Sequence, residues 1–518
     1  MPIRMVEDPN QKRSSNSSRN TRNTGGGGGM GAALIPMVLS LFRKNPKSMI
    51  FVIIAGIAIY YFAGSQSCNS GGSSIMSSLF TGLDFNPEQY DNVEVFEPLA
   101  DNVNNPLPEK ISLEKFAPQR LNQGQQGSCV GWGSAYAART ILESIRTGKN
   151  PNDIAFSPSF LYNQIGFENC QGAYLNDAMD VMKGEGLLPF QQFPYNENDC
   201  SKKPTSTQMQ AASAFKMPGY NRLTQGDTKG IGNEQVDMLA IKQNLAQGAP
   251  VVIGMMVGGS FMQDMMGADV WIPTSSDYNM RGFGGHCMAV IGYDDYKEGG
   301  AFQLMNSWGS EWGNNGLAWV RYQDFAVFTK EAYGIYPMGN PNKPLSNKFN
   351  VAFGLINTET NAHIALSKTG PYIFKTIKPI SKGDKFKIEV TNSQECYTYV
   401  FGKETDGSNY TLFPYTEKHS PYCGITGTRL FPKDYSMQAD DIGNADFIAI
   451  VVTKQPLDYK SFNDKVNSMR GNYENKIADA LGGQLLDGIQ WKQGETIGFE
   501  TNGRDDGAVL MVIEIDKN

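Results

Sequence analysis

The sequence predicts an α+β chain, with a helical half-domain first, a strand-rich half-domain second and a separate mostly-β region last. Three observations carry this. From Cys129 to Gly248, apolar residues recur at helical spacing in four runs, three of which stop at Gly148, Gly184 and Gly248. From Pro250 to Tyr322 the runs turn short, apolar or alternating, and are bounded by Gly and Asp, as strands are. A Pro/Asn-rich stretch from Gly339 to Lys348 then sets off a third region of further short strands. Helices first and strands second imply two packed lobes with a cleft between them.

The N-terminal tenth is of another kind. Residues 1–48 carry Arg4, Lys12, Arg13, Arg19, Arg22, Arg43, Lys44 and Lys47 against only Glu7 and Asp8, with a five-glycine run, and read as a basic, disordered tail. Residues 49–64, "MIFVIIAGIAIYYFAG", hold no charge. At about 1.5 Å per residue they reach roughly 24 Å, and Ser48, Ser65 and headgroup-level Tyr60 and Tyr61 close most of the gap to a hydrocarbon core of about 30 Å. A cleaved signal peptide is the main rival, but the basic leader is far longer than a normal n-region. The expectation is therefore a single-pass transmembrane anchor, N-terminus cytoplasmic and everything after Gly64 extracytoplasmic (periplasmic). A weaker apolar run, Ala32 to Phe42, contains Pro36 and is expected at the interface. Residues 65–106 are polar, acidic and free of Lys and Arg, and read as a linker.

At 518 residues the chain exceeds one ordinary domain, and 40% apolar content is enough for real cores. A net charge of −7, with no basic run interleaved with aromatics, excludes a nucleic-acid partner. No cofactor motif is present, and none is expected. Seven cysteines in a segment expected outside the cytoplasm leave at least one thiol unpaired.

Cys129 is the one whose surroundings suggest work. It lies in "QGQQGSCVGW", at the start of the run Trp132, Ala135, Tyr136, Ile141, Leu142, Ile145, so a buried helix begins beside the thiol. A helix N-terminus and a neighbouring imidazolium both favour thiolate, the nucleophilic form. Of three histidines, His286 in "GFGGHCMAVIGYDD" stands where glycines end and a strand begins. A third group must orient the imidazole, and Asn306 in "LMNSWGSEWGNNG" follows on the next strand, with Trp308 placed to shield the pair.

With these residues in order, residues 107–338 resemble the papain family of cysteine peptidases. Gln123 stands six residues before Cys129, and Asn306, Ser307, Trp308, Gly309, Trp312, Gly313 and Gly316 match the family's "NSWG..WG..G". The resemblance implies a papain-like two-lobed fold in which Cys129 attacks a peptide carbonyl and His286 acts as base and then acid. It also implies that Asn306 orients His286, and that the Gln123 amide with the Cys129 N–H forms the oxyanion hole, where losing one donor costs about 3 kcal/mol. "CQGAY" resembles the family's substrate-binding strip, making Gly172 and Ala173 substrate contacts, and Trp308 would line the leaving-group side. A Cys170–Cys200 disulfide is the staple that the resemblance implies. The chain departs from the family in having Val130 where an aromatic is usual, Gln126 where a cysteine is usual, and no long helical propeptide before Leu107.

Residues 346–518 resemble a bacterial β-domain of unknown function appended to peptidases. A Cys396–Cys423 disulfide is expected there, and His419 lacks a second ligand pair for a metal. The function expected is a membrane-anchored cysteine peptidase acting on protein or peptide substrates. The alternatives are a papain-fold transpeptidase, or a non-hydrolytic adaptor whose C-terminal domain binds an envelope protein.

Overall fold

The helix begun by Cys129 forms the spine of the first lobe. It opens as one α-turn, Cys129–Gly131, widens into π-helical Trp132–Arg139 and finishes as α-helix Thr140–Thr147, ending at Gly148 with φ 67°. Residues 132–139 are all buried, so the widened turn stands in the core directly behind the thiol; π-turns are rare and gather at functional sites. Pro158–Ile165, capped by the Ser157 hydroxyl, and Leu175–Gly184 pack around it.

These elements belong to a computed structural model that describes residues 3–7, 81–101, 103–225, 235–338, 349–501, 504 and 506–518. The expected anchor (49–64), the interfacial run (32–42), Cys68 and the boundary at 339–348 lie outside the described residues. Among the described residues, no helix is long and apolar enough to cross a membrane.

The second lobe is a mostly antiparallel sheet. Its strands run in the order Tyr220–Arg222, Thr329–Ile335, Val251–Val257, Gly284–Asp294, Ala301–Met305, Leu317–Arg321, Val270–Trp271, the last joined in parallel. The central strand Gly284–Asp294 is buried on both faces because the Cys129 helix lies against it. This explains why it reads as a continuous apolar run and not as an alternation.

The C-terminal region is a sandwich of two sheets with a helical layer outside one of them. In "DFIAIVVT", Ile448, Ile450 and Val452 face the inter-sheet core, while Ala449 and Val451 face the helices Tyr459–Ser468 and Tyr473–Leu481. Gly471, at φ 127°, lies in the break between these two helices. Both lobes and the C-terminal region form one compact unit.

Two regions depart from the sequence reading. Residues Ile3–Glu7, read as part of a coreless tail, form a strand antiparallel to Tyr435–Ala439 at the edge of one C-terminal sheet. The "linker" 65–106 is, from Thr81 on, folded chain: Leu83, Tyr90, Val93, Phe96 and Leu99 are all buried. Its acidic, Lys-free composition concealed an apolar series that packs on both the two-lobed domain and the C-terminal region.

Candidate active site

Cys129 and His286 come from opposite lobes and meet at the cleft. The Cys129 side chain is fully buried, and its Sγ accepts a hydrogen bond from the Cys287 N–H at 3.4 Å. The strand that supplies Cys287 aims the next side chain back, His286, toward the cleft. His286 Nε2 and Asn306 Oδ1 are 2.7 Å apart. The Ser307 N–H also donates to Asn306 Oδ1, at 2.7 Å, fixing that amide in place. Trp308 stacks on the imidazole with ring centroids 4.4 Å apart, and Trp312 meets Trp308 edge-on at 5.6 Å. His286 Nδ1 has no hydrogen-bond partner. It is the ring nitrogen that Asn306 leaves free.

Gln123 is likewise buried and held at both ends. Its Oε1 accepts from the Ser307 hydroxyl at 2.7 Å, and its backbone N–H donates to Ser307 O at 2.8 Å. Its Nε2 donates to Gln126 O at 3.0 Å and to Thr81 O at 3.1 Å. Sequence reasoning gave no role to Ser307, nor to Tyr195, whose hydroxyl donates to Gln123 O and accepts from Ser128 Oγ, both at 2.7 Å. Tyr195 thus ties the two ends of the turn that carries Gln123 and Cys129.

The Thr81 contact reveals what fills the cleft. Residues 81–86 run through it as an extended plug. Gly82 O accepts from the Ala173 N–H at 3.0 Å, Leu83–Asp84 pair in parallel with Ala173–Tyr174, and Leu83 pairs with Gly285 on the other wall. Gly172 lies beside it, where a Cβ would come within 3.0 Å of Gly82 O. Two glycines make this fit. Gly82 adopts φ 118°, and a Cβ there would lie 2.2 Å from Gly127 O; a Cβ on Gly285 would lie 2.3 Å from Leu83 O.

Covering the site changes its electrostatics. The sequence suggested that the helix N-terminus would lower the Cys129 pKa; instead burial pushes the thiol up to about 12, outweighing the N–H groups of Cys287 and Val130. Burial also pulls His286 down to about 4, against its bond to Asn306. Both shifts favour the neutral form, because desolvation penalises charge on either group. The covered site therefore holds a thiol and a neutral imidazole. An ion pair requires water or substrate in place of the plug.

Residues 112–336 match the papain family cysteine protease profile, and residues 380–456 match a domain of unknown function, DUF4384. The first segment belongs to the papain family of cysteine peptidases. Over 269 residues the chain is 29% identical to mouse cathepsin K, spanning 51% of this chain and 74% of cathepsin K. Over 212 residues it is 24% identical to cysteine proteinase 3 of Entamoeba histolytica, spanning 40% of this chain and 61% of that protein. The crystal structure of xylellain, a cysteine protease from Xylella fastidiosa, aligns with a TM-score of 0.41 at 24% identity over 50% of this chain and 96% of xylellain.

The papain-family domain carries the Cys170–Cys200 disulfide, which closes a 30-residue separation beside the Gly172–Ala173 strip. The Cys396–Cys423 disulfide expected in the C-terminal domain is not formed. Both cysteines are free thiols, directly opposed in register on adjacent strands and sharing the Thr398 hydroxyl, at 4.0 and 3.4 Å from their sulfurs.

Proposed function

We propose that the chain is a membrane-tethered cysteine peptidase that hydrolyses peptide bonds in proteins or peptides and is held latent by its own residues 81–86. Cys129 is the nucleophile and His286 the general base and then acid. Asn306 holds the imidazole through Nε2, leaving Nδ1 toward the thiol. Gln123 donates to the oxyanion, and Gly172 and Ala173 take the substrate backbone.

The observation that carries this reading is the bond from Gln123 Nε2 to Thr81 O. The amide that would stabilise the oxyanion already donates to a carbonyl, and that carbonyl belongs to a peptide laid along Ala173. A backbone carbonyl held there is the ground-state counterpart of the oxyanion. In the plug Leu83–Asp84 run parallel to Ala173–Tyr174, and the Cys129 thiol is neutral, so the plug blocks the cleft without offering an ionised nucleophile.

Catalysis follows once the plug leaves. Solvation lowers the thiol pKa and raises that of the imidazole, and His286 Nδ1 takes the proton from Cys129 Sγ. Sulfur attacks the carbonyl carbon, the oxyanion receives the Gln123 amide, and the imidazolium returns its proton to the leaving amine. Water then hydrolyses the thioester. Tethering through residues 49–64, with the catalytic domain extracytoplasmic, is supported by the charge-free run and its basic flank.

The test uses the full chain with the plug disrupted by Leu83→Asp and Phe85→Asp. This variant should hydrolyse a generic fluorogenic peptide, and adding Cys129→Ala should abolish turnover. Equal turnover with and without Cys129 would refute the assignment.

A further inference from the structure

Residues 93–101, which follow the plug after the short helix Pro87–Asp91, form a strap laid between the two folded domains. Its backbone is shared. On one side the Arg222 N–H donates to Glu94 O at 3.0 Å and the Phe96 N–H to Arg222 O at 3.1 Å. Further along, Gln243 bonds both the N–H and the O of Leu99 at 2.9 Å. These contacts belong to the peptidase domain. On the other side the Val95 N–H donates to Lys418 O at 2.6 Å, the Ser420 N–H donates to Val95 O at 2.9 Å, and the Ala100 N–H donates to Thr428 O at 2.8 Å. These belong to the C-terminal domain. The strap is thus bonded along both edges, as an interior strand is, by two domains at once.

Side chains repeat the pattern. Glu94 accepts from the buried Ser420 hydroxyl at 2.7 Å, and Arg429 Nε donates to Glu97 O at 3.0 Å. Asn105 exchanges a pair of bonds with the Thr428 backbone, both 2.8 Å, and Asn104 bonds Glu389 at 3.1 Å. The C-terminal backbone is shaped to the strap. Gly427 has φ 143°, and a Cβ there would lie 2.6 Å from Asn105 Oδ1 and 2.8 Å from Leu99 Cδ1.

We propose that the C-terminal domain is the retaining clamp of an intramolecular inhibitor: by gripping residues 94–105 it holds residues 81–86 in the catalytic cleft. The inference rests on the latency reading above and extends it to a domain of unassigned role. The plug alone is short, and few backbone bonds hold it. Plug and cleft belong to one chain, so rebinding is intramolecular, and anchoring the following segment a dozen residues away shortens the free tether and raises the effective concentration into the millimolar range. Loosening the clamp lowers that concentration and opens the site without any change in the cleft. A release signal would therefore act on the C-terminal domain, remote from the thiol.

The experiment measures the rate at which a thiol-directed epoxide labels Cys129 in the full chain. Four proteins are compared: wild type, the plug variant Leu83→Asp/Phe85→Asp, and two clamp variants, the first Ser420→Ala/Asn105→Ala. The second clamp variant, Gly427→Ala, displaces the strap by bulk. Each lost strap bond shifts the closed-to-open ratio several-fold, so both clamp variants should label about tenfold or more faster than wild type. Amide exchange separates release from unfolding. In the clamp variants the Ala173 N–H, bonded to Gly82 O, should exchange faster, while the core strand Gly284–Asp294 stays protected. Fast labelling of the plug variant with clamp variants at the wild-type rate would overturn the clamp and leave latency standing. Failure of the plug variant to label at all would overturn the latency reading, and the clamp with it.

Discussion

Gln123 shows how one side chain is set for its task. Its amide has two ends, and only one orientation presents N–H groups to the cleft. The Ser307 hydroxyl, donating to Oε1, selects that orientation. Ser307→Ala should therefore leave substrate binding nearly unchanged while lowering kcat of the opened enzyme about five- to tenfold. One net hydrogen bond of about 1 kcal/mol is lost, and it matters only when the oxyanion forms. Steady-state kinetics check this, and a rise in KM with kcat unchanged would count against it. The positions that the structure gathers at the cleft were legible in sequence, because Gln123, Cys129, His286 and Asn306 each sit in a local context that announces them. Ser307 and Tyr195 were not legible in role. Tyr195 acts through Gln123 O and Ser128 Oγ, and nothing in its own neighbourhood points to residues some seventy positions earlier.

At the scale of elements, helices and strands of the catalytic domain were legible from period and punctuation, whereas the plug and strap were not. Acidic residues interrupt the series Leu83, Tyr90, Val93, Phe96, Leu99, and no single face is buried throughout, because neighbours on both edges cover it. One of those acidic residues, Glu97, is itself buried against the C-terminal domain. Burial holds its carboxyl up at about 8, outweighing Lys433, the Tyr415 hydroxyl and Arg429, while Asp434 adds to the rise. A raised carboxyl pKa means that the closed strap binds the proton more tightly than the open one. Closure is thus most favoured below the ordinary carboxylate pKa and loses ground as pH climbs toward the raised value. Epoxide labelling of wild-type Cys129, normalised to the plug variant, should increase between about pH 5 and about pH 8. Glu97→Gln should flatten that rise, and an unaltered slope would exclude Glu97 as its source. Within the Cys129 helix, Arg139 is buried and paired with Glu143 at 3.0 Å. Glu143→Ala strands that cation in the core and should cost about 3–5 kcal/mol in chemical denaturation, more than an exposed pair would.

For the whole molecule, two features compete over where the N-terminus lies. The strand Ile3–Glu7 pairs over five positions with Tyr435–Ala439, which requires both on one side of any membrane. A single pass through residues 49–64 places them on opposite sides. Magnitudes decide between the two. A five-residue edge strand adds a handful of exposed backbone bonds at about 0.5–1.5 kcal/mol each, offset by the entropy of ordering a chain end. The charge-free run, once inserted, is anchored nearly irreversibly, and eight basic groups on its N-terminal side oppose translocation. Under the proposed tethering insertion outweighs the pairing, and the Tyr435–Ala439 edge would then be released from residues 3–7. In spheroplasts, with the outer membrane opened, an N-terminal tag should resist added protease while the C-terminal domain is digested, and in lysed spheroplasts both should be cut. Protection of both ends in spheroplasts would mean that the chain does not cross once, and that the strand pairing persists.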